Sequence, residues 1–168
     1  MKKALIVIDV QKYFLNKKTE RIIKKIRDYL VKHSSKYSQI YFTIFKNNPS
    51  APLSQISDWH GCTKSPDTDL CDDLKDFSEG KLYYKNILSA FKVPAIAKSI
   101  KRNGISEVHL CGFDTDCCVL ATTYDLFDQG IKPVLLEDLT WSTSRENLHS
   151  AAVKMIERNV GFLESAEK

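Results

Sequence analysis

Three residues of reactive type stand at the ends of apolar, β-rich runs. Asp9 closes "ALIVID", Lys85 closes "KLYYK", and Cys118 follows "EVHLCGF" by five residues. An isolated cysteine thiol ionises near pH 8.5, so a nucleophilic thiolate at neutral pH needs help from a cation, a helix N-terminus or a base. The segment after Cys118 has helical periodicity, which places the thiol among the unpaired N–H groups of a helix start, where negative charge is favoured. With Lys85 as the cation and Asp9 as the proton acceptor, the three types make a nucleophile–cation–base set.

Taken singly, each residue has a plainer reading. Asp9 is either a hydrogen-bonded strand terminator or a general base, and Lys85 alone reads as a lysine reaching for solvent. Cys117 lies about 100° around a helix from Cys118 and reads as its inert, structural neighbour. His109, in the middle of "EVHLCGF", reads as a satisfied core histidine, and His33 and His149 carry no signal.

These residues need a scaffold, and the chain supplies one by alternation. Continuous apolar runs at 4–9, 39–45, 81–85, 107–113 and 132–138 read as strands buried on both faces, with "VGFLES" as a final edge strand. Between them lie helical spacings: Ile22, Ile23, Ile26, Tyr29 and Leu30; a short helix with Leu70, Leu74 and Phe77; a helix opened by Pro94 and closed by Asn103–Gly104; one carrying Val119, Leu120, Thr123, Leu126 and Phe127 up to Gly130; and a last one with Leu148, Ala151, Ala152 and Met155. "NNPSAP" opens an irregular stretch to about residue 66. Alternation of this kind implies right-handed crossovers and a three-layer α/β architecture with a mainly parallel sheet of five or six strands. Ligands then bind at the carboxyl ends of the strands, where Asp9, Lys85 and Cys118 fall. The 168 residues are read as a single domain over 1–168.

Three blocks, "ALIVIDVQKYF", "YYKNILSAF" and "LCGFDTDCCVLATTYDLFDQG", resemble in content and order the signatures of the isochorismatase-like cysteine hydrolases. That superfamily has a Rossmann-like fold and includes nicotinamidases and N-carbamoylsarcosine amidases. The resemblance implies Asp9 as base, Lys85 as the cation that lowers the thiol pKa, and Cys118 as nucleophile. It also implies a cis peptide between Phe113 and Asp114, which aims the N–H groups of Asp114 and Cys118 into an oxyanion hole. Asp114 stands where many members have alanine. The implied reaction is hydrolysis of a small amide-type C–N bond through a thioester. Isochorismatases proper cleave a vinyl ether and lack the cysteine, so Cys118 favours the amide reading. A dimer or tetramer is also implied. The alternative is a non-catalytic, partner-binding member of the same fold.

For the pocket, Phe14 and Trp59 are expected as aromatic walls, Phe91 as a third wall or as core, and Gln11 as a residue that orients Asp9 or touches substrate. Asp58 and His60 match an Asp-x-His fragment that nicotinamidases use for a metal. No further histidine occurs before His109, and two protein ligands hold a metal weakly. The expectation is therefore no metal and no cofactor. A nucleotide-binding Rossmann protein is excluded by "DVQKYF" where G-x-G-x-x-G would stand.

Composition narrows the partners. The net charge of +4 comes from scattered lysines on wet helix faces, without an aromatic platform, so no nucleic acid is expected. No apolar stretch approaches the roughly 20 residues of a membrane span. Five cysteines without a secretory signal suggest reduced thiols in the cytoplasm.

Overall fold

The computed structural model describes residues 1–166. Six parallel strands, β1 (Lys2–Ile8), β2 (Gln39–Phe45), β3 (Leu82–Lys85), β4 (Ile105–Phe113), β5 (Lys132–Trp141) and β6 (Leu163–Glu164), form one sheet in the order β3-β2-β1-β4-β5-β6. The connecting helices are α1 (Lys17–His33), α2 (Pro52–Gln55), α3 (Pro94–Arg102), α4 (Leu120–Asp128) and α5 (Glu146–Asn159). They cover both faces, giving the three-layer architecture.

The continuous apolar run of β1 is explained by the two cores it feeds. Ala4, Ile6 and Ile8 pack with Ile96 and Ile100 of α3, Leu126 of α4 and Val153 and Ile156 of α5. Leu5 and Val7 point the other way, onto Ile23, Ile26 and Leu30 of α1. Strand alternation thus sends one sequence run into two cores, and each fully buried aliphatic side chain contributes about 1.5–3 kcal/mol. α1 starts where Asn16 accepts the N–H groups of Lys18 and Thr19, while the Thr19 hydroxyl accepts the N–H of Asn16.

Several expectations shift in detail. The helix proposed around Leu70, Leu74 and Phe77 is a 3₁₀ segment, Asp72–Phe77, and the irregular stretch carries α2. β5 continues three residues past 138 to Trp141 because β4 and β5 re-register between Leu110 and Gly112. The helix after β4 opens not with an α-turn but with a π-helical one, Thr115–Val119.

Gly112 sets up that end of β4. Its φ is +110°, and a Cβ there would lie 2.1 Å from the Ile8 carbonyl oxygen on β1. Only glycine lets β1 and β4 run this close just before the chain turns toward Cys118.

Candidate active site

The carboxyl ends of β1, β2, β3 and β4 converge on one buried cluster. Asp9, just past β1, has φ of +50°, a left-handed conformation that non-glycine residues seldom adopt and that marks functional sites when neighbours hold it in place. Here the Asp9 N–H donates to the Thr43 carbonyl at 3.1 Å, and the Thr43 hydroxyl donates to Asp9 Oδ1 at 2.8 Å. The second oxygen, Oδ2, lies 2.6 Å from Lys85 Nζ, with both side chains almost wholly out of water. Beyond that ion pair Oδ2 accepts no hydrogen bond among the described residues. A lone pair is therefore free for a proton.

Lys85 is not the solvent-reaching lysine its lone reading suggests. Its ammonium contacts Asp9, donates to Cys118 Sγ at 3.3 Å and to the Ile87 carbonyl at 3.1 Å, which uses all three donors. It also lies 5.0 Å from the centre of the Phe45 ring. Burial pushes its pKa down, but Asp9 and the Cys118 sulfur outweigh burial, and the net shift is upward. Lys85 stays charged.

Cys118 is buried in the π-helical turn. The Asp114 carbonyl accepts the N–H groups of Cys117 and Val119 and skips that of Cys118 between them. Such wide turns recur at functional sites. α4 holds the turn from behind: the Thr122 hydroxyl donates to the Cys118 carbonyl at 2.7 Å and accepts the Ala90 N–H at 2.9 Å. That contact gives the "SAF" block a structural task. On the other side, Thr115 and His149 of α5 share a 2.9 Å hydrogen bond, and His149 stacks on Trp141.

Cys117 is half-buried and lines the same cavity as Cys118. The interaction with the neighbouring Cys117 thiol raises the Cys118 pKa, with burial and the Asp9 charge adding to it and Lys85 opposing. The same interaction lowers that of Cys117. The resting Cys118 is thus a neutral thiol beside an intact Asp9–Lys85 ion pair, not a preformed thiolate.

The Phe113–Asp114 peptide is cis. The Asp114 carboxylate accepts the Thr143 N–H at 2.7 Å and the Thr143 hydroxyl at 2.8 Å. Burial pushes its pKa up to about 6, against those two hydrogen bonds and with help from Asp116 and Asp9. Asp114 thereby ties the end of β4 to the loop after β5.

Above the cluster lies a cavity of about 290 Å³. Phe14 and Trp59 line it, joined by Tyr13 and Phe45. Tyr13 meets Phe14 and Trp59 edge to face at 5.2 and 5.7 Å. Leu53 and Leu88 add apolar surface, and Cys117, Cys118, Asp114 and Thr143 the polar part. Asn47 fixes the Trp59 loop by donating to the Trp59 carbonyl at 2.8 Å.

Two expected pocket residues lie elsewhere. Gln11 is fully buried, donates to the carbonyls of Phe45 and Asp67, and accepts the Phe45 N–H at 2.8 Å. Its side chain braces the end of β2 and neither bonds the Asp9 carboxylate nor lines the cavity, while its backbone N–H donates to the Asp9 carbonyl at 2.8 Å. Phe91 packs against the core and lines a separate cleft with Ile100, Ile105 and Ile131. Its side chain belongs to the α3 face. Asp58 and His60 bond each other at 2.8 Å with side chains 95% and 65% exposed. No group of three potential metal ligands occurs among the described residues, so this pair does not fit the metal site of which it is a fragment.

Sequence reading missed Thr43, Tyr13, Phe45 and Thr143. Thr43, a polar residue inside the apolar run "QIYFTIF", carried a usable signal. Phe45 ends a strand at the ligand-binding edge and was open to the same rule that selected Asp9.

Comparison with known proteins agrees with this architecture. The isochorismatase domain model matches residues 3–168. Nicotinamidase 3 of Arabidopsis thaliana is 21% identical over 98% of this chain and 85% of its own length. The structure is similar to that of N-carbamoylsarcosine amidase from Thermoplasma acidophilum, with a TM-score of 0.85 at 19% identity over 100% of this chain and 98% of the other. Nicotinamidase PncA from Bacillus subtilis superposes with a TM-score of 0.83 at 22% identity, over 98% and 100% of the two chains. The chain belongs to the isochorismatase family of hydrolases.

Proposed function

We propose that this chain is a cysteine amidohydrolase that cleaves a small amide-type C–N bond through a thioester on Cys118. The observation that carries the reading is the Lys85 ammonium, in contact with both Asp9 Oδ2 and Cys118 Sγ inside a dry cluster. Because the resting thiol is neutral, activation is a proton transfer from Cys118 Sγ to Asp9 Oδ2. Lys85 stabilises the negative charge before and after that transfer, first on the carboxylate and then on the sulfur. Net charge in the cluster does not change, so the transfer avoids the cost of an unpaired buried ion.

The thiolate then attacks the amide carbonyl, and its oxygen becomes an oxyanion held by the N–H groups of Asp114 and Cys118. Protonated Asp9 returns its proton to the leaving nitrogen, which departs as ammonia or an amine. Asp9 next takes a proton from water, which hydrolyses the thioester and regenerates the thiol. The named activities of the relatives, nicotinamidase and N-carbamoylsarcosine amidase, support an amide or carbamoyl substrate. The loose fit of Asp58 and His60 to a metal set argues against nicotinamide itself. The five unpaired thiols support a reducing, cytoplasmic setting.

A second reading makes Cys117 the nucleophile, since it is the more accessible sulfur and its pKa is lowered. Screening small amides and carbamoyl compounds for ammonia release, then quenching in acid and mapping acylated peptides, separates the two. The acyl group is expected on Cys118, and Cys118→Ala is expected to lose more than about a thousandfold in turnover. Ammonia release undiminished in Cys118→Ala, or an adduct confined to Cys117, overturns the assignment.

A further inference from the structure

The charges around the cavity restrict which amide it accepts. Among the described residues, the only ionisable side chains on its wall besides the two thiols are the Asp114 carboxylate and the phenol of Tyr13. No lysine or arginine among the described residues lines it, and the Lys85 charge is already matched by Asp9. A second carboxylate stands two residues on: Asp116, whose Oδ1 is buried without a hydrogen-bond partner among the described residues and whose charge is felt at Asp114. Burial holds the nearby His149 below its usual pKa, so at neutral pH it supplies no compensating cation.

From this arrangement we infer that the substrate is a short amide carrying a nitrogen cation, and that Asp114 is the residue that selects it. The inference rests on the amidohydrolase reading for the reaction but not for the binding preference. Each Asp114 oxygen accepts one hydrogen bond from Thr143 and keeps a further acceptor site for an ammonium. The rings of Tyr13, Phe14 and Trp59 add an aromatic wall that tolerates a cation and offers an anion nothing. Distance sets the spacer. Asp114 would supply both an oxyanion N–H and the carboxylate, so the cation lies only a few bonds from the reacting carbonyl. An anionic substrate would meet uncompensated like charge.

Three matched amides test this: 4-aminobutanamide, pentanamide and glutaramate, which end in ammonium, methyl and carboxylate. Binding is measured by NMR titration of the Cys118→Ala protein, where turnover does not interfere. The ammonium amide is expected to bind about tenfold more tightly than pentanamide, the size of a charge-assisted hydrogen bond, with glutaramate weakest. Adding Asp114→Asn, whose amide can accept the Thr143 N–H and donate to the Thr143 hydroxyl, brings the first two within about twofold. Equal binding of the first two by the Asp114-containing protein, or a preference that survives Asp114→Asn, overturns the inference. The ranking alone decides if Asp114→Asn does not fold. Ammonia release from the same amides tests the reaction separately: a binding preference without Cys118-dependent release leaves Asp114 as the selector and sinks the amidohydrolase reading.

Discussion

At the amino-terminal end of the sheet, Glu107 sits between lysines from both neighbouring strands. Lys3 of β1 lies 2.7 Å from Oε1 and Lys132 of β5 lies 3.0 Å from Oε2. His109 adds a third contact at 2.9 Å and bonds Tyr37 through its other nitrogen. Burial opposes the Glu107 charge, yet those partners pull its pKa down to about 2. At the carboxyl-terminal end, Asp9 has one lysine and one threonine, a positive φ and an oxygen with acceptor capacity to spare. Its lysine in turn touches a thiol. The same fold thus buries two acids, one saturated with partners and one left with room for a proton. A saturated network stabilises and holds its charge; an unsaturated one can do chemistry.

Substitutions that remove one partner at each end should separate these two roles. Lys85→Met strands Asp9 in a dry interior and is expected to cost about 3–5 kcal/mol in urea unfolding, with turnover falling more than about a thousandfold. Glu107→Gln frees Lys3 and Lys132, which are already 38% and 36% exposed and can turn to water. It should cost only about 1–3 kcal/mol and leave ammonia release within about twofold. A larger stability loss from Glu107→Gln than from Lys85→Met would collapse the distinction.

The pH dependence of unfolding sharpens the comparison, because the two ends shift in opposite directions. Glu107 has a folded pKa of about 2 against an ordinary 4.5. The stability it contributes is complete above pH 4.5 and is lost as pH falls toward 2. Asp114 is raised from 3.8 to about 6, so the folded state holds its proton more tightly and stability rises as pH falls from about 6 toward 3.8. Urea midpoints across a pH series should show the upper slope vanish in Asp114→Asn and the lower one flatten in Glu107→Gln.

The smallest effect concerns the aromatic wall. A Cβ on Gly61 would lie 2.6 Å from the Trp59 ring and 2.8 Å from the Tyr13 hydroxyl. Gly61→Ala is expected to displace both rings, raising KM about threefold while kcat changes little. Steady-state kinetics on a cleaved amide checks it, and an unchanged KM would remove that wall from substrate binding.

Most of the scaffold was legible because its determinants are local. The runs at 39–45 and 81–85, the helical spacing of Ile22 to Leu30 and the Pro94 start all correspond to elements at nearly those bounds. Departures came where distant parts decide. The π-helical turn depends on which N–H groups the Asp114 carbonyl captures, and Gln11 bonds Phe45, 34 residues away. Phe91 has a motif position but packs on the α3 face because the chain turns there.

The amino-acid order alone determined the alternation of strands and helices, and with it the placing of Asp9, Lys85 and Cys118 at strand ends, since hydrophobic period and chain direction are properties of a short window. Only the tertiary structure decided that Lys85 touches both Asp9 and Cys118 and that the Cys118 thiol rests neutral. It alone brought Thr143 and Thr43 to the carboxylates. Those outcomes depend on burial and on ångström-scale contacts between segments far apart in sequence, which no local pattern encodes.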